Sequence, residues 1–104
     1  MAITLEQVQQ TWKIIATIYI LEAGKVDRVA KVDEVSVKLS KALTGLDEPI
    51  ATKLTDQYGA VVFDGALTNG FYVLVATHKA TAKQVKGTIR TPAEGEWGYY
   101  NPTS

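Results

Sequence analysis

The 104 residues include no cysteine, one histidine, one methionine and three prolines. Without cysteine there are no disulfides, no thiolate nucleophile and no sulfur-ligated metal. The lone histidine, His78, has no HxxxH partner and no neighbouring pair of carboxylates, so a catalytic or metal role has no local support. Its plainer reading is a histidine on the surface or at a strand end. An excess of one charge is also missing. Lys and Arg number 11, Asp and Glu number 11, and the formal net charge is zero. That total does not mark a strongly basic nucleic-acid binder. Phosphate-loop spacings are absent as well: neither GxGxxG nor GxxxxGK occurs. Ser36, Ser40 and Ser104 stand outside any GxSxG setting.

Long apolar runs are lacking too. The stretch from Trp12 to Leu21 is interrupted by Lys13 and Thr17 and is half the roughly 20 residues a bilayer requires. The segment from Met1 to Gln10 has no lysine or arginine and no apolar h-region, so no signal peptide is expected. These absences predict a soluble, cytoplasmic protein with no membrane partner. What is present is ordinary globular usage, 46% apolar and 21% charged. A chain of this length can bury about two-thirds of its unfolded surface in one modest core.

Local patterns suggest helices first. Thr4 and Gln7 have capping-box spacing, and Gly24 suits a helix end. Between them Leu5, Val8, Trp12, Ile15 and Tyr19 form one stripe, and Ile14, Ile18 and Leu21 a second. A helix apolar on two sides is buried twice or shared with a partner. The β-branched content of the segment Ile14–Leu21 supports a strand as the alternative. The run from Lys25 to Val32 suits a connecting strand or an extension of the following helix. Asp33 can cap a helix through Val35, Leu39, Ala42 and Leu43, which Thr44-Gly45 breaks. Asp47 then caps another, with Pro49 in its first turn, Ile50 and Leu54 on its buried face, and Tyr58-Gly59 at its end. Val61–Phe63 and Phe71–Ala76 flank Asp-Gly and Asn-Gly pairs and predict a β-hairpin. Thr77 to Arg90 is expected to be helical despite Gly87, and residues 93–104 to be an irregular aromatic tail.

The segment LSKALTGLDEPIATKL carries a resemblance. Leu39 and Leu43 lie one helical turn apart, Ser40 is small enough for a helix crossing, Thr44-Gly45 makes a turn, and Ile50 and Leu54 return to the core. Over residues 12–77 the chain resembles the winged-helix branch of the helix-turn-helix superfamily. Two departures stand out. Thr44 occupies a turn position that is usually glycine, and the second helix would expose three acids, Asp47, Glu48 and Asp56, against one lysine, Lys53. The resemblance implies an α+β fold, a single winged-helix-like domain over residues 1–92, and a regulatory or accessory DNA-binding role. It implies Thr52, Lys53 and Gln57 at base edges, and Thr68 and Asn69 at the tip of the wing. It also implies a homodimer, which the second stripe, Ile14, Ile18 and Leu21, would join.

A charge asymmetry points the same way. No acid lies between Gly65 and Ala93, whereas Lys79, Lys83, Lys86 and Arg90 recur at helical spacing. They form either a phosphate-contacting face or the solvated face of a surface helix. Asp33-Glu34 and Asp47-Glu48 suit helix N-termini. Trp97, Tyr99 and Tyr100 either pack on the domain or contact a partner. The functional expectation is non-enzymatic nucleic-acid binding without a cofactor. The alternative is a winged-helix protein-interaction module, such as an accessory protein of a phage or mobile element. Zero net charge and an acidic second helix suit that alternative better.

Overall fold

β-Branched, aromatic and other apolar side chains recur at every second position in three stretches: Trp12, Ile14, Ala16 and Ile18; Val35, Val37 and Leu39; Tyr72, Leu74 and Ala76. Successive side chains of a strand point to opposite faces, so this period-two pattern buries one face. A computed structural model of the protein describes residues 1–9, 11–43 and 45–91. Every regular element in them is a strand. In order these are β1 (Ala2–Val8), β2 (Thr11–Thr17), β3 (Tyr19–Ile20), β4 (Arg28–Val29), β5 (Val35–Leu43), β6 (Leu46–Leu54), β7 (Ala60–Leu67), β8 (Phe71–His78) and β9 (Gln84–Arg90).

The winged-helix expectation is therefore overturned. The fold is all-β, not α+β, and it contains no helix-turn-helix among the described residues. The stretch expected as the first helix, Thr4 to Gly24, is β1, β2 and β3. The two helices of the motif are β5 and β6. The expected helix from Thr77 to Arg90 is the end of β8, a turn and β9. Gly45 joins no helices, and Thr44 lies outside the described residues. Leu43 and Leu46 are paired across a β-hairpin, and Gly45 between them has a φ of +78°. A tight hairpin turn of this kind favours glycine because a Cβ disfavours positive φ. Of the four residues expected to anchor the motif in the core, only Leu39 is buried. Leu43, Ile50 and Leu54 are exposed.

The strands form a three-stranded sheet, β1-β2-β7, and a four-stranded sheet, β6-β5-β8-β9, with β3 and β4 as a small pair. All pairings are antiparallel. Ile3, Ile14 and Phe63 from the first sheet join Val37, Leu39 and Leu74 from the second in one core cluster. The two sheets thus pack face to face across a shared apolar layer.

The runs 61–63 and 71–76 are strands as the sequence pattern suggests, but they do not pair with each other. β7 pairs with β2, and β8 pairs with β5 and β9. Thr68, Asn69 and Gly70 carry the chain from one sheet to the other. Their polar groups are held there: Trp12 Nε1 donates to Asn69 Oδ1 at 2.7 Å, Tyr72 Oη to Thr68 O at 2.6 Å, and Gly70 N to Thr91 Oγ1 at 2.6 Å.

β6 is an edge strand whose residues are exposed except for half-buried Ala51. Its register against β5 shifts between Leu39 and Ser40, whose partners are Ala51 and Pro49, so Ile50 is an extra residue. A bulge, a proline and the charges of Asp47, Glu48 and Lys53 all oppose further strand pairing at an edge. Lys53 turns inward at the rim. Its Nζ donates to Val62 O at 2.8 Å and lies 5.7 Å from the centre of the Phe63 ring.

The strand register makes a quantitative prediction. Leu39→Ala removes a fully buried side chain and should destabilise the domain by about 2–5 kcal/mol. Leu54→Ala acts at a position that is 44% exposed and should cost about 1 kcal/mol or less. Urea unfolding of both variants tests this; equal losses would contradict the assignment of Leu39 to the core and Leu54 to the surface.

Candidate binding surfaces

Cross-strand register determines which side chains share the outer face of the four-stranded sheet. Leu39 pairs with Leu74, and Leu74 with Gly87, on the core side. The adjacent row is therefore outward. It runs Thr52, Lys38, Val75, Lys86 across β6, β5, β8 and β9. Lys38 and Lys86 lie two strands apart, so their Cα atoms are separated by about 10 Å. The next row on that side contains Ser40 and Val73, both buried, and exposed Thr88; beyond it Phe71 faces Arg90. Thr52, Lys38, Lys86, Thr88, Arg90 and Phe71 are exposed. Asp47, paired with Ala42 at the far corner on β6, is the acid nearest these rows in register.

The residues expected to contact nucleic acid are thus dispersed. Thr52, Lys86 and Arg90 share this outer face, joined by Lys38 and Phe71, which helical spacing did not single out. Lys53 belongs to the opposite side, against Phe63. Gln57 is exposed in the turn between β6 and β7. Thr68 and Asn69 lie in the crossing between the sheets. Besides its carbonyl bond to Tyr72, Thr68 accepts a hydrogen bond from Lys41 Nζ at 3.0 Å on Oγ1. Lys79 and Lys83 are in the β8–β9 turn, which closes with Ala82 N donating to His78 O at 2.7 Å and His78 N to Lys83 O at 2.9 Å. The helical stripe expected to form a dimer interface does not exist. Ile14 and Ile18 are buried in this chain's own core, whereas Leu21 is exposed. Trp97, Tyr99 and Tyr100 lie outside the described residues.

A second cluster was invisible to sequence reasoning. Glu34, in the turn before β5, receives both ends of the Arg28 guanidinium, Nη1 to Oε1 at 2.7 Å and Nη2 to Oε2 at 2.9 Å. Lys31 N donates to Glu34 Oε1 at 2.9 Å, and His78 Nε2 lies 3.0 Å from Glu34 Oε2. The other ring nitrogen of His78 is 3.1 Å from Thr81 Oγ1. The Arg28 guanidinium, then the Lys31 amide and the His78 ring, hold the Glu34 carboxyl well below the usual carboxylate range. His78 is indeed the last residue of its strand. Its acidic partner is 44 residues away in sequence, so no local motif announces the contact.

Thr81, His78 and Glu34 line up as hydroxyl, imidazole and carboxylate. Both oxygens of that carboxylate are already engaged by Arg28. The arrangement is well suited to tying the turn before β5 to the β8–β9 turn. Thr55 reinforces the same end: buried, it donates from Oγ1 to Lys31 O at 2.8 Å and receives Val35 N at 3.3 Å. Beside this network is a cleft of about 300 Å³, lined by residues 18–22 and by side chains from β5, β8, β9 and the turn between the last two. Among the described residues no cluster of three or more acidic or histidine side chains is placed to hold a metal ion. No helix among them is long and apolar enough to cross a membrane. No family model, curated protein or solved structure matches the chain.

The depressed Glu34 acidity has a definite sign for stability. The folded value lies below the ordinary 4.5, so the stabilisation is fully present above that pH and is lost as pH falls through the folded value. Glu34→Gln should lower the melting temperature at neutral pH. The difference from the parent protein should narrow steadily as pH drops below about 4.5. A difference that stays constant down to pH 2 would contradict the assigned ion pair.

Proposed function

We propose that this protein is a non-enzymatic binding domain that holds a nucleic acid against the outer face of its four-stranded sheet, in a regulatory or accessory role. The observation that carries the reading is the Thr52–Lys38–Val75–Lys86 row, with Arg90 beside exposed Phe71. Cations spaced across a sheet can contact successive phosphates, and an exposed aromatic ring offers a base a surface to stack on. Threonine hydroxyls between them add hydrogen-bond donors for phosphate and sugar oxygens. Zero net charge over the whole chain limits long-range attraction, so binding on this reading is moderate and salt-sensitive. A cytoplasmic setting, where such a partner is found, belongs to the same reading.

A protein partner is the second reading. It is favoured by Leu46, Ile50 and Leu54, which stand exposed along β6. Isolated apolar residues are common on surfaces, and the bulged, charged edge of β6 resists strand addition, which places this reading second.

Anisotropy titration with labelled mixed-sequence oligonucleotides, first at low salt, separates the two. Contact through Lys38, Lys86 and Arg90 predicts a log–log salt slope of about −2 for a single strand and about −3 for a duplex. Lys38→Glu combined with Lys86→Glu should abolish binding and leave the β-sheet circular dichroism unchanged. Absence of binding at low salt would remove the nucleic-acid reading and leave the protein partner.

A further inference from the structure

The cleft beside His78 has a composition that water alone does not explain. Its floor is the buried side chains of Ile18, Val35 and Ala76. Its walls include Tyr19, Leu21 and Val85, three of the large apolar residues that the fold leaves exposed, Leu21 at 69%. A volume of about 300 Å³ is at the small end of the range for ligand sites and equals the liquid volume of about ten waters. Water filling an apolar hollow is poorly bonded, and its displacement by an apolar group is favourable.

The polar side of the cleft has one sign left over. Glu22 lines it but is engaged by Lys25 at 3.1 Å and by Arg28 at 3.5 Å. Glu34, behind His78, is taken up by Arg28 and the His78 ring. Lys83 also lines the cleft, and among the described residues no carboxylate lies within ion-pair distance of it. Thr81, with its hydroxyl beside His78, completes that rim. An apolar hollow edged by an uncompensated ammonium complements an apolar body ending in a single anionic oxygen group.

We infer that this cleft binds a small amphipathic carboxylate. The apolar body lies on Ile18, Val35 and Ala76 between Leu21 and Val85, and the carboxylate accepts a hydrogen bond from the Lys83 ammonium. The site is separate from the outer sheet face, and the two stand or fall independently.

Titration of the full chain with octanoate, followed by amide chemical shifts in two-dimensional NMR, tests this. Saturable shifts confined to residues 18–22, 76–78 and 81–85 are expected. Lys83→Gln should weaken octanoate binding by about tenfold, the loss of one charge-assisted contact. Leu21→Asp, at an exposed position where folding tolerates change, should weaken it at least as much. Octan-1-ol should bind less tightly than octanoate, and acetate should give no saturable shift. Absence of saturable shifts with octanoate, or binding that both variants leave intact, would overturn the site. Equal affinity for acetate would overturn the role of the apolar floor.

Discussion

Burial of Val35, Val37 and Leu39 along one side of β5 sets the frame for everything else in the molecule. β5 bonds to β6 on one side and β8 on the other, so its register is transmitted to both neighbours and through β8 to β9. A strand has a side-chain period of two, and a slip by one residue would exchange its faces. Lys38 would then enter the core and Val37 would face water. The energetic cost of burying an unpaired ammonium forbids that arrangement. The same packing that secures the core therefore turns Lys38, and with it Lys86 and Thr52, outward into one row. The candidate nucleic-acid face is a geometric consequence of the core, since none of its members is adjacent in sequence.

The other end of the molecule is held by polar groups. Arg28, Glu34, His78 and Thr81 tie the turn before β5 to the β8–β9 turn, beside the backbone bond from Lys79 N to Glu34 O at 3.2 Å, and Thr55 pins the first of these turns from within. Gly59 completes this end: its φ is +72°, and a Cβ there would meet Ala30 N at 2.8 Å. Ile18 N donates to Gly59 O at 2.8 Å, and Ala30 N to Ile18 O at 2.9 Å. These bonds carry the chain out of β2 and position the segment that walls the cleft. The cleft thus lies at the end of the sheet pairing, beside this side-chain network.

The helical misreading has a specific cause. Leu39, Leu43, Ile50 and Leu54 satisfy a helical period, but Val35, Val37 and Leu39 satisfy a period of two over the same stretch. A short apolar run supports both. Polar cues were equally ambiguous. Asp33 and Asp47, apt as helix caps, belong to turns and strand starts. Lys79, Lys83, Lys86 and Arg90, apt as one helical face, are divided between a turn and two positions of β9. The β-branched content of residues 14–21, kept as an alternative, was the better guide. So were the strand-rich runs 61–63 and 71–76, although the expected hairpin between them was wrong, because their strongest partners were elsewhere.

From the residues alone came the lack of cysteine chemistry, the balanced total charge, the acid-free stretch from Gly65 to Ala93, and a chain reversal at Gly45. All of these depend on composition or on a few neighbouring residues. Only the tertiary structure decided that Gly45 lies between paired strands, that β7 and β8 part into different sheets, that Glu34 meets His78, and that Lys38 lies level with Lys86. Sheet pairing is non-local: which strand supplies the next row of hydrogen bonds depends on how all apolar faces can be covered at once. That competition among distant segments leaves no mark on any short stretch of sequence.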